Sequence, residues 1–106
     1  MSTNQVVVLA ALKVKSGVED HAREVLRRVL SATRQEVGCL TYDLHQSATD
    51  PTEFMFYEAW ESQEALDAHA TSTAEHRVTL RRELATLLDE RTRLTYWRRV
   101  DERQTS

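Results

Sequence analysis

The stretch QVVVLAALKV at residues 5–14 limits the fold more than any other segment of this chain. Its β-branched content predicts a strand. Val6, Val8, Ala10, Leu12 and Val14 fall on one face, and Val7, Leu9, Ala11 and Lys13 on the other, so both faces are largely apolar. Such a strand needs cover on both sides. Helices of the same chain can cover one side. In a chain of 106 residues a partner subunit is the simplest cover for the other. The apolar run within it, Val6 to Leu12, is seven residues long. That is far short of the ~20 that cross a bilayer. No cationic segment precedes it, so it does not read as a secretion signal.

A turn at Lys15-Ser16-Gly17 ends the strand, and the hydrophobic period then changes to three and four. Val18, Ala22, Val25, Leu26, Val29, Leu30 and Thr33 predict one amphipathic helix ending near Glu36, with Gly38 as its stop. Strands follow at 39–47 and 53–60. The turn cluster Ala48-Thr49-Asp50-Pro51-Thr52 joins them into an antiparallel hairpin. Pairing even with even positions gives a core-like face of Leu40, Tyr42, Leu44, Phe54, Phe56, Glu58 and Trp60. Ser62 reads as the N-cap of a short helix. Thr71-Ser72-Thr73 interrupts it, and 74–90 is a further helix with Leu80, Leu84, Leu87 and Leu88 on its stripe. The last strand, 92–100, alternates Leu94, Tyr96, Arg98 and Val100 with Thr95, Trp97 and Arg99, and 101–106 is a solvated tail. The order is β-α-β-β-α-β with the second helical region split. It predicts an α+β, ferredoxin-like domain, an antiparallel sheet with helices on one face. One domain spans 1–106, with an ordered core at about 5–100.

Composition narrows the function by exclusion. The net charge is −3, and the 14 basic residues alternate with acids. That argues against nucleic acid as a partner. The single cysteine, Cys39, has no internal disulfide partner and fits a reducing, cytoplasmic location. At the start of a strand it reads as a buried, inert thiol. Two glycines leave no material for a nucleotide-binding loop. His21, His45, His69 and His76 show no H-E-x-x-H spacing, so no metal centre is expected. They read as surface or capping histidines; His69 and His76 are seven apart, but the Thr-Ser-Thr interruption weakens a shared face.

One constellation remains: Tyr42, Glu58, Trp60 and His69. The first three share the hairpin's core-like face, and His69 projects from the following helix. Glu58 is the odd residue there, since a buried carboxylate needs a partner or rises in pKa. Two readings stand side by side. One is a satisfied polar network, with Glu58 bonded to Tyr42, a histidine or a backbone amide. The other is an aromatic-lined pocket between sheet and helices.

The segment Glu36-Val-Gly38-Cys39-Leu40-Thr-Tyr42-Asp-Leu44-His45, then Asp50-Pro51, then Phe54-x-Phe56-Tyr57-Glu58-x-Trp60-x-Ser62-x-Glu64-Ala65-Leu66-x-x-His69, resembles the antibiotic biosynthesis monooxygenase family. Lys15-x-Gly17 also matches the turn that commonly follows the first strand there. The resemblance runs from about residue 5 to residue 100 and implies a homodimeric αβ barrel, with the sheets packed face to face and the last strand at the partner contact. It implies oxidation of a phenolic or quinol substrate by O₂, with neither flavin nor metal, because the substrate supplies the electrons. Carried over residue by residue, Trp60 shapes the aromatic pocket and His69 accepts a proton or orients a hydroxyl; Glu58 is structural support. Substrate contacts are expected from Tyr42, Leu44, Phe56 and Glu58. Ala10 stands near the position where haem-degrading members carry an asparagine, which argues against that activity. Two other readings use the same pocket: a non-catalytic dimeric protein binding an aromatic ligand, and an isomerase or lyase on the same fold.

Overall fold

The computed structural model describes residues 4–101. Its elements are β1 (Val6–Lys13), α1 (Glu19–Arg27), α2 (Leu30–Arg34), β2 (Cys39–Gln46), β3 (Glu53–Trp60), α3 (Gln63–Ala70), α4 (Glu75–Leu87) and β4 (Arg93–Trp97). The four strands form one sheet in the order β2-β3-β1-β4, every neighbouring pair antiparallel. This is the ferredoxin-like α+β arrangement that the element order predicts. The hairpin pairs even with even positions: Tyr42 faces Glu58, Leu44 faces Phe56 and Gln46 faces Phe54.

The helices lie on one side of the sheet. Val8, Ala10, Leu12, Tyr42, Phe54, Phe56 and Trp60 point to that side and are buried with Val25, Leu26, Leu66, Leu80 and Leu84. The other side presents Val7, Leu9 and Ala11 beside Met55 and Tyr57, with Trp97 on the edge strand. Those six are half-buried or exposed; Trp97 is 55% exposed.

Three local expectations are corrected. The single helix expected from Val18 to about Glu36 breaks after Arg27 and resumes at Leu30. The apolar period continues through the break, but α1 packs on α4 whereas α2 packs on β2. There Arg34 Nε donates to the Tyr42 carbonyl at 3.0 Å and Thr33 is fully buried. Leu40, placed on the core-like face, sits at a β-bulge between Cys39 and Thr41 and is 50% exposed. The last strand is Arg93–Trp97, not 92–100, because Trp97 already pairs with Val7, one residue from the start of β1. Of the expected tail, residues 102–106 lie outside the described residues.

Two junctions place the site. Ser62 caps α3 by accepting from the Ala65 amide at 3.1 Å. Gly38 takes φ +82°, and its carbonyl accepts from the Glu61 amide at 2.8 Å. This presses the loop before β2 against α3, where a Cβ on Gly38 would collide with the Ala65 side chain. Gly38→Ala therefore combines left-handed strain with overpacking and is expected to cost about 2–4 kcal/mol. Urea unfolding reads it directly; a loss under ~0.5 kcal/mol would mean the loop yields without strain.

Candidate active site

Alternation along β2 and β3 brings Tyr42, Phe56, Glu58 and Trp60 to the helix side, and α3 lays His69 over them. His69 is buried, its ring centroid 4.5 Å from that of Trp60 and 5.9 Å, edge-on, from that of Tyr42. Tyr42 stacks on Phe56 at 4.7 Å. The Trp60 indole N–H donates to Glu58 Oε1 at 3.0 Å. The partner of the buried carboxylate is thus a side chain two residues along the same strand face, not Tyr42 or a backbone amide. His69 Nε2 stands 4.0 Å from the same Oε1, beyond hydrogen-bond length.

The other imidazole nitrogen is engaged. His69 Nδ1 is 2.8 Å from Glu36 Oε1, and His76 Nε2 is 2.6 Å from Glu36 Oε2. A carboxylate facing Nδ1 holds the proton there and leaves the lone pair on Nε2. Glu36 and His76 were not among the residues the sequence pattern singled out for the site. His76 in particular is not a surface histidine but a half-buried partner of Glu36. The seven-residue spacing of the two histidines was the available signal; the carboxylate between them was hidden by 33 and 40 residues of separation.

Beside this network lies a cavity of about 340 Å³ between the sheet and helices α3 and α4. Tyr42, Phe56, Leu66, Leu80 and Leu84 supply apolar wall, and Ala10 faces it from β1. Glu58 and His69 line it, as do Arg77 and Arg81. Leu94 and Tyr96 of β4 form its outer edge and are 51% and 60% exposed. Of the six residues expected at the site, Tyr42, Phe56, Glu58 and His69 meet at this cavity. Trp60 is 0% exposed and sits behind Glu58 and His69, off the cavity wall. Leu44 is directly opposite Phe56 on the same sheet face but lies off the cavity, beside Arg23, Arg27 and Leu30 of the first helical region.

Burial sets the protonation states. It pushes the Glu58 carboxyl above the usual range, against the opposing pull of the Trp60 N–H and the Arg77 charge. Burial and then Arg77 push His69 below the ordinary imidazole value, while Glu36 works the other way. Burial, with the Glu58 charge behind it, drives the Tyr42 phenol far up, so it stays protonated. Cys39 is pushed up to about 11, chiefly by burial, and is no nucleophile at neutral pH. No group of three or more ligating side chains fit to hold a metal ion occurs among the described residues.

The Glu58 shift has a consequence for stability. The folded state holds that proton more tightly than the unfolded state, so stability falls as pH rises through the raised folded pKa. Glu58→Gln keeps an acceptor for Trp60 and removes the charge. It is expected to raise Tm at pH 7, by about 4 °C or more for each ~1 kcal/mol gained. The gain should vanish below the ordinary carboxyl value of 4.5. Differential scanning calorimetry at both pH values tests this; an equal gain at low pH would locate the effect in packing.

Fold and cavity together make this a small ferredoxin-like α+β domain with an aromatic-walled pocket between sheet and helices and a carboxylate-bonded histidine at its side. Residues 5–91 match the antibiotic biosynthesis monooxygenase family, and the chain belongs to it. It is 32% identical to Rv0793 of Mycobacterium tuberculosis over 100 residues, covering 94% of this chain and 96% of that one. The structure of Rv0793 superposes with a TM-score of 0.83 at 30% identity, covering 94% and 99% of the two chains. PA3566 from Pseudomonas aeruginosa gives 0.84 at 30% identity, covering 95% and 98%. A match to the Synechocystis protein sll1783, 30% identical over 64 residues, covers 60% of this chain and 44% of that protein. No helix among the described residues is long and apolar enough to cross a membrane.

Proposed function

We propose that the protein is a monooxygenase that oxidises a phenolic or quinol aromatic with O₂, the substrate itself supplying the electrons. The observation that carries this reading is His69. Its Nδ1 is tied to Glu36, its Nε2 stands 4.0 Å from Glu58 Oε1 with no hydrogen bond among the described residues, and the residue lines an aromatic-walled cavity. Imidazole with a lowered pKa is neutral at pH 7, as a general base must be.

The chemistry balances without a further reactant. Nε2 takes the phenol proton, and the phenolate transfers electron density to O₂ as a ring C–O bond forms. The imidazolium returns its proton to the distal oxygen. Loss of the ring C–H proton with cleavage of the O–O bond then releases water and leaves the quinone. The arene gives up four electrons and each oxygen atom gains two. The apolar walls keep bulk water from the charged intermediates.

The same reading makes the protein a homodimer that covers Val7, Leu9 and Trp97 on the open sheet face. Sedimentation equilibrium at micromolar concentration should return twice the chain mass; a monomer there would remove that part.

Oxygen uptake by metal-free protein against hydroquinones and polycyclic phenols tests the activity. Uptake above autoxidation, lost in His69→Ala, is the expected result. Saturable ligand binding with no uptake would instead assign a binding protein, and conversion that proceeds equally well without oxygen an isomerase.

A further inference from the structure

The cavity has a cationic wall that the proposed chemistry does not use. Arg77 and Arg81 stand one turn apart on α4, both lining the cavity. Arg81 is held by backbone: its Nη2 donates to the carbonyls of Ser72 at 3.0 Å and Ala70 at 3.3 Å, at the end of α3. Arg77 is different. Its Nε is buried and has no hydrogen-bond partner among the described residues, and its guanidinium makes no ion pair there. The carboxylates nearest in the architecture are otherwise committed. Glu58 accepts from Trp60, Glu36 is shared by His69 and His76, and Asp67, exposed at the cavity rim, accepts from Gln63.

A half-buried guanidinium with an orphaned buried N–H is costly unless something completes it. Guanidinium is the group best shaped to take a carboxylate by two parallel hydrogen bonds. We propose that the substrate is an aromatic acid: a phenol whose carboxylate docks on Arg77 while its hydroxyl lies toward His69. This rests on the phenol-oxidising reading for the hydroxyl, but the anion site itself is a matter of binding alone. Arg81, one turn on, adds positive potential without needing to let go of the α3 carbonyls. The cavity, at about 340 Å³, has room for a two-ring acid.

The test uses the intact protein and two probes of the same shape, 6-hydroxy-2-naphthoate and 6-hydroxy-2-naphthamide, titrated without oxygen by calorimetry. The acid should bind at least about tenfold more tightly than the amide, as a charge-assisted pair requires. Arg77→Gln should abolish that preference, weakening the acid by about tenfold more than the amide. Arg81→Gln should weaken the acid by less than Arg77→Gln does. Equal affinity of the two probes for the unaltered protein, binding of neither, or a preference that survives Arg77→Gln would overturn the proposal. Oxygen uptake separates the two readings. Acid preference with no uptake keeps the anion site and removes the oxygenase, whereas uptake with neutral naphthols and no acid preference does the reverse.

Discussion

His69→Ala is expected to lower kcat/KM for a phenolic substrate by about 10²–10⁴-fold, the usual contribution of one positioned general base. The loss should fall on kcat, because the walls that bind the ring, Tyr42, Phe56 and Leu80 among them, are left intact. The pH profile carries a second signature. His69 must be neutral to act, so the rate should rise with pH through its folded pKa, which lies below the ordinary 6.5. Glu36→Gln keeps an acceptor for Nδ1–H but removes the charge that opposes burial and Arg77. The acid limb should therefore move lower still, and the weaker base should cost about tenfold at neutral pH. A purely structural Glu36–His69 bond would change stability and leave the limb where it was. An acid limb that stays in place in both variants, with kcat unchanged, would take His69 out of the proton transfer.

What could be read from the sequence, and what could not, divides along the range of the interaction. Alternation in β2 and β3 is local, and it correctly gave Glu58 as the carboxylate on an otherwise apolar face opposite Tyr42. The Ser62 cap and the Thr-Ser-Thr break are also local chemistry, and both appear where expected. The break after Arg27 was invisible because Val25, Leu26, Val29 and Leu30 keep one unbroken helical period across it. Only the different partners of α1 and α2, one a helix and the other a strand, require the turn. Leu44 and Phe56 are cross-strand neighbours, so a pattern argument treats them alike. Which end of the sheet is roofed and which left hollow depends on where α3 and α4 land, and alternation does not encode that. Glu36 is the clearest case. It reads as an acid ahead of a helix-stopping glycine, and its link to His69 and His76 exists only once Gly38 folds that loop against α3.

Trp60→Ala should be among the most destabilising single changes in the chain. The side chain is the largest that is fully buried, and deleting a buried tryptophan typically costs about 3–5 kcal/mol. It also strips Glu58 of its hydrogen-bond donor, leaving a buried carboxyl oxygen with no N–H. For a domain of this size the expected fall in Tm is more than about 12 °C. Trp60→Phe keeps an aromatic ring against His69 while removing the N–H and part of the indole's buried volume, so it should cost less than the alanine in urea unfolding. Because the indole is one of the groups that lower the Glu58 pKa, the same variant should push that carboxyl further up. The fall in stability, which begins near the unfolded value of 4.5, should then continue to a higher pH, since Glu58 would hold its proton longer in the folded state. Trp60 would on this account hold the site by fixing Glu58 and His69 from behind, with no contact to the substrate. Should Trp60→Ala instead unfold normally and lose only ligand affinity, the indole must swing into the cavity when ligand binds, and its buried position would be one of two states.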